Sequence, residues 1–148
     1  MGRLEIKWDP WDRNDPGQCI KVVVMNSSDV IGGWRALGLE CPEPRAVTAL
    51  IDTGASVTVI SKVFANYCKL FQTGEGGLVT TLAGGTLCGE HAGAISFPGT
   101  TLRPVDSHPI VSANFEREKN YSCLIGRDIL RNWLITFDGR AKRVVIED

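Results

Sequence analysis

Short runs of β-branched and other apolar residues recur along the chain, with turn-forming residues between them. They cover residues 19–25, 47–51, 57–60, 78–82, 94–97, 110–115, 134–137 and 144–146. Many short runs between turn residues predict a mainly antiparallel β fold, either a sandwich or a barrel. Two segments carry helical spacing instead. In 61–71, Val63, Phe64, Tyr67, Cys68 and Phe71 follow Ser61, a residue suited to cap a helix. In 126–133, Ile129, Leu130 and Trp133 share a face, and Asp128 sits in the first turn, where a negative charge is favourable. Asp138-Gly139 and Asp15-Pro16-Gly17 read as turns. The first 18 residues, with Trp8, Trp11 and two Asp-Pro pairs, read as an irregular arm lying on the core. Residues 32–44 read as a loop between strands, and Glu116-Arg117-Glu118-Lys119 as a solvated loop.

Composition narrows the classes. The chain has 148 residues, of which 43% are hydrophobic, which fits one globular domain over 1–148. Sixteen Lys and Arg against seventeen Asp and Glu leave a net charge of −1. There is no basic excess to bind nucleic acid through counterion release, so no nucleic-acid partner is expected. No segment approaches the ~20 apolar residues that span a bilayer, and the N-terminal residues lack a signal-peptide apolar region. The expectation is a protein with no membrane partner, cytoplasmic or part of a larger precursor. Five cysteines, with no C-x-x-C pair, suggest neither a disulfide framework nor a zinc clasp. Cys88-x-x-His91 is the nearest approach to metal-ligand spacing, and nothing else clusters near it. No metal and no cofactor are expected.

The chemistry concentrates in two stretches. In Ala49-Leu50-Ile51-Asp52-Thr53-Gly54-Ala55-Ser56, an apolar strand runs straight into an acid, a small hydroxyl residue, a glycine and two more small residues. Gly54 permits a tight turn and close backbone approach, and an acid at the end of a buried strand has its acidity set by its surroundings. By itself Asp-Thr-Gly also suits an ordinary β-turn. The second stretch is Cys123-Leu124-Ile125-Gly126-Arg127-Asp128-Ile129-Leu130, with Gly126 lying 74 residues after Asp52. Together the two stretches resemble the aspartic proteases of the retroviral, retropepsin-like type, over residues 18–146, leaving 1–18 as the N-terminal arm.

That resemblance implies a closed, barrel-like acid-protease fold with one short helix after Leu124-Ile125-Gly126, forming a single lobe of a twofold dimer. It implies that Asp52 is the catalytic carboxylate, that Thr53 bonds across the dimer axis, and that Gly54 faces substrate with its backbone. Ala55 and Ser56 line the cleft. Leu124, Ile125 and Gly126 pack behind the catalytic loop, and Arg127 ties the helix start to neighbouring backbone or carboxylate. Leu82, Ala83, Gly84, Gly85 and Thr86 correspond to the flap over the cleft. Two departures stand out. Ser56 occupies a position where many viral members carry an Asp, so Arg127 needs another partner, with Asp128 a candidate. Leu82 replaces the aromatic residue of the cellular pepsins.

The family's chemistry needs two carboxylates sharing one proton, since like charges ~3 Å apart cannot both ionise. The ionised member takes a proton from water, and the protonated member donates to the developing oxyanion. The sequence contains one Asp-Thr-Gly and no second D-[ST]-G. The second carboxylate therefore has to come from another copy, making a homodimeric endopeptidase that holds an extended polypeptide. Val144-Val145-Ile146 and the N-terminal arm are candidates for extra interface, because terminal strands pair in the viral relatives. A hydrolase triad from Ser56 with His91 or His108 lacks a G-x-S-x-G elbow. The glycine clusters lack a phosphate-cradling G-x-x-x-x-G-K-[ST]. The alternative from another class is a non-catalytic dimerisation or peptide-binding domain on the same fold.

Overall fold

A computed structural model describes residues 1–9, 11–12, 17–81, 84–114 and 120–148, with backbone alone for 75–81 and 84–87. In chain order the elements are β1 (Arg3–Lys7), β2 (Cys19–Asn26), α1 (Ser28–Ala36), β3 (Arg45–Ile51), β4 (Val59–Ser61), α2 (Lys62–Tyr67) and β5 (Gln72–Thr81). There follow β6 (Gly84–Ser96), β7 (Val105–Ala113), β8 (Cys123–Ile125), α3 (Arg127–Leu130), β9 (Leu134–Asp138) and β10 (Arg143–Glu147).

Period-two alternation sorts the strands into faces. Ile20, Val22, Val24 and Asn26 of β2 turn inward while their neighbours turn out. The larger sheet runs β2-β3-β8-β4-β7-β6-β5, and a further pairing of β2 with β6 closes its first six strands into a barrel. Closure leaves those six strands without an open edge. The interior is filled by Val22, Val24, Ala49, Ile51, Ile60, Ile95, Ile110, Cys123 and Ile125. The pairing is not wholly antiparallel. The pairs β3–β8 and β4–β7 are parallel, because each is joined by a long excursion rather than a hairpin.

Three helices form, where the family resemblance implied one. Helix α2 is the 61–71 segment in shortened form, with Ser61 capping it by accepting from Phe64 N–H at 3.1 Å. Helix α3 is the 126–133 segment. Helix α1 corrects the reading of 32–44 as a loop. It is capped by Ser27, with Asp29 in its first turn and Arg35 in its last, and it buries no residue completely.

The N-terminal arm is also corrected. Residues 3–7 form β1, the outer strand of a three-stranded antiparallel sheet β1-β10-β9. Ile6 is buried and Leu4 packs on the core, so the alternation Leu4, Ile6 selects the inward face. Trp8 rests against the core with its ring 6.0 Å from that of Phe137. Trp11 stays 85% exposed. Asp138-Gly139 does turn the β9–β10 hairpin, with Asp138 Oδ1 accepting Ala141 N–H at 2.9 Å.

Candidate active site

Strand β3 delivers Asp52 to the rim of the barrel. The Asp52 N–H donates to Ile125 O at the end of β8 (3.1 Å), continuing the parallel ladder one step beyond Ile51. There the chain turns. Asp52 Oδ1 accepts the Gly54 N–H at 2.8 Å, and the Ala55 N–H donates to Asp52 O at 3.2 Å. A Cβ on Gly54 would lie 3.1 Å from that same Oδ1, so glycine suits the turn by its lack of a side chain. Asp52 is half-buried, and Thr53, Gly54 and Ser56 are exposed. The carboxylate is thus oriented from behind and open in front.

Residues 125–128 brace this loop. Arg127 N–H donates to Ala55 O and its guanidinium Nη1 to Thr53 O, both at 2.9 Å. The guanidinium therefore ties to backbone, as the resemblance implies, and not to Asp128. The Asp128 carboxylate is already taken. Oδ2 accepts the Thr58 N–H (2.9 Å) and faces His108 Nε2 (2.8 Å), while Oδ1 accepts the Thr58 hydroxyl (2.8 Å). Thr58 Oγ1 in turn accepts the Gly126 N–H at 3.1 Å. Burial raises the Asp128 pKa, but the His108 and Thr58 hydrogen bonds outweigh it and hold the carboxyl below the usual range. Gly126 is pressed against the loop, since a Cβ there would sit 2.4 Å from both Val57 C and O. Leu124 and Ile125 lie behind it, Ile125 in the main core and Leu124 on a smaller cluster of Val59, Cys88, Val111 and Ala113.

Thr58 and His108 are the residues that sequence reasoning missed. Thr58 had a signal, being a polar residue within the β-branched run 57–60; it is fully buried, so its hydroxyl needs partners. His108 had none, because its partner lies 20 positions away in sequence.

The predicted flap is a hairpin of β5 with β6. Within it Gly84, Gly85 and Thr86 stand in the ladder opposite Thr81, Thr80 and Val79. The register Leu78↔Leu87 places them there. Leu82 and Ala83 lie outside the described residues, as do Phe115, the 116–119 run and the Asp15-Pro16 turn.

His91 is buried, its ring nitrogens meeting Leu70 O (3.2 Å) and Ser112 Oγ (2.9 Å). Burial pushes its pKa below the ordinary histidine value against those bonds to backbone. Among the described residues no group of three or more His, Cys, Asp or Glu is placed to hold a metal ion. A cavity of about 530 Å³ lies elsewhere, lined by Trp34, Leu39, Cys41, Pro42, Arg45 and Tyr67 among others. Arg45 opens β3 and Asp52 follows its end, so about 20 Å of strand separates the two places, at ~3.3 Å per residue.

Among the described residues no helix is long and apolar enough to cross a membrane. No protein-family model matches the chain, and no curated protein sequence matches it. Solved structures do. A retropepsin-like aspartic protease from Rickettsia conorii aligns over 99% of this chain and 91% of its own, at TM-score 0.53 and 11% identity. The retroviral protease-like domain of Ddi1 from Leishmania major aligns over 83% of each chain, at TM-score 0.42 and 14% identity. With its closed barrel and a match running nearly end to end, this chain has the retropepsin-like fold.

Proposed function

We propose that the chain is an aspartic endopeptidase that hydrolyses polypeptides with a water held between the Asp52 carboxylates of two copies. The observation that carries this reading is the Asp52 turn itself. A carboxylate at the end of a barrel strand is aimed by the Gly54 N–H, and its backbone is fastened to β8 and α3 by the bonds from Asp52, Arg127 and Thr58. Preorganisation of this kind is what acid–base chemistry requires. A binding module has no need of an open carboxylate fixed so firmly.

One carboxylate per chain supports the homodimer. In that arrangement Thr53 bonds across the axis, Gly54, Ala55 and Ser56 line the substrate channel, and the β5–β6 hairpin is the flap over it. The small sheet offers a further contact. The outer edge of β1 is covered, since Thr101 Oγ1 accepts the Arg3 N–H at 2.8 Å. The β9 edge has no such cover among the described residues, and Leu134 (64%) and Phe137 (51%) are exposed on the two opposite faces of that strand. An apolar, unpaired edge favours pairing with another strand. Val144, Val145 and Ile146 are buried within the chain, so β9 is the better candidate for the contact first assigned to the last strand.

The test is to incubate the purified protein with an unstructured polypeptide from pH 3 to 7, with and without a statine-type inhibitor. The expected result is inhibitor-sensitive cleavage on the acid side, reduced at least about 10³-fold in Asp52→Asn. Cleavage that survives that substitution removes Asp52 from the mechanism. Inhibitor binding without cleavage favours the peptide-binding alternative.

A further inference from the structure

We infer that His108 is a positioning residue for the Asp52 loop and makes the loop's rigidity depend on pH. The inference rests on the endopeptidase reading for its kinetic part alone.

The geometry is a relay of three side chains. His108 projects from β7 and places Nε2 2.8 Å from Asp128 Oδ2 on α3. Because a carboxylate only accepts, Nε2 carries a hydrogen and donates it. Asp128 uses its two oxygens to hold both the N–H and the hydroxyl of Thr58. Thr58 closes the Asp52 loop at its far end and returns a bond from Gly126 N–H. The loop is thus gripped at Thr53 and Ala55 by Arg127, and at Thr58 by a carboxylate whose outer partner is a titratable ring. His108 and Asp128 are both largely withdrawn from water, with side-chain exposures of 17% and 19%. Screening there is weaker than at the surface.

Among the described residues Asp128 is the one charged group in direct contact with His108. Asp106, on the same strand, accepts the N–H and hydroxyl of Ser28. Asp29 of α1 meets the Ser107 hydroxyl at 3.4 Å. Strand β6 sets the uncharged Gly93 opposite. On α3, Arg127 reaches the other way, to Thr53.

With Asp128 ionised the bond is charge-assisted already, and protonating the ring adds the second charge and makes it an ion pair, which holds the carboxylate in place more firmly. The grip on Thr58 therefore tightens when the ring is protonated. Asp128 stays ionised well into acid, so the ion pair survives there.

The test has two arms. In the intact protein, the His108 ring and the Thr58 and Gly126 amides are followed by NMR as pH is varied, with His108→Gln used to assign the ring against His91. The two amides should titrate together with the His108 ring; amides that ignore it overturn the inference. The second arm compares kcat and KM of wild type and His108→Gln across pH. Glutamine keeps an N–H donor and loses the titration, and effects of the dyad itself cancel in the ratio. KM should agree within about twofold. The kcat ratio should approach one on the alkaline side of the His108 titration and rise to about tenfold in favour of wild type on the acid side. A ratio that stays constant with pH overturns the inference. If neither protein cleaves at any pH, the endopeptidase reading fails and the NMR arm still decides the coupling. If His108→Gln does not fold, the wild-type amides decide it, with the ring assigned from a His91→Gln protein.

Discussion

Gly126 shows most directly how the loop is fixed by residue choice. Its Cα faces the Val57 carbonyl so closely that an added methyl would lie 2.4 Å from two backbone atoms, with Thr58 N at 2.9 Å. None of these belongs to a flexible side-chain end, so backbone has to shift. Gly126→Ala should therefore cost about 3 kcal/mol of stability, read from denaturant unfolding, and a cost below about 0.5 kcal/mol would mean the brace is looser than described. His91 acts at the same scale through its protonation. Burial keeps its folded pKa below the unfolded value, so on unfolding the ring gains a proton once pH drops below about 6.5. Stability should be full above that pH and decline as pH falls through the lower folded value. A second decline follows below about pH 3.8, as Asp128 takes a proton more readily in the unfolded chain. Thermal melts should show a midpoint falling by a few degrees between pH 6.5 and 5, and much less so in His91→Gln. Equal slopes in the two proteins would remove His91 as the cause.

At the scale of elements, the edge strand β9 makes the sharpest prediction. Phe137→Lys puts a charge where the proposed dimer needs an apolar edge, a common way in which proteins keep edges from pairing. Sedimentation should show the dimer weakened at least about tenfold, with the monomer still folded and losing only the ring contact of Phe137 with Trp8. An unchanged dimer would move the contact elsewhere. Elements also show which parts of the structure could be read in advance. Strands β2, β3 and β10 were legible because their apolar runs are continuous or strictly alternating, and burial follows that pattern. Strand β9 was legible as an apolar run, though none of its residues is completely buried. Helix α1 was not. Its apolar face is short, made of Val30, Ile31 and Trp34, none of them completely buried, and Gly32-Gly33 in its middle lowers helix propensity by about 1 kcal/mol each. Its signal lay at the ends, in the Ser27 cap, Asp29 and Arg35. Strand β1 was hidden by the Trp and Asp-Pro residues after it, although Leu4 and Ile6 alternate as a strand should. In the site, Asp52-Thr53-Gly54 and Gly126-Arg127 were visible as contiguous motifs. The Thr58–Asp128–His108 relay was not, because it is assembled from three separate elements by folding.

The whole molecule offers one Asp52 on a closed barrel, and the proposed reaction needs two. The proposed chemistry depends on that count. It is tested by mixing wild-type and Asp52→Asn chains in varied proportion at constant total concentration, after allowing subunits to exchange, and measuring proteolysis. If the site is shared, a mixed dimer holds one carboxylate and is inactive. Activity should then follow the square of the wild-type fraction, so an equal mixture retains about a quarter of full activity. Activity proportional to the wild-type fraction, with about half retained in the equal mixture, would contradict the account, because each chain would then be working alone.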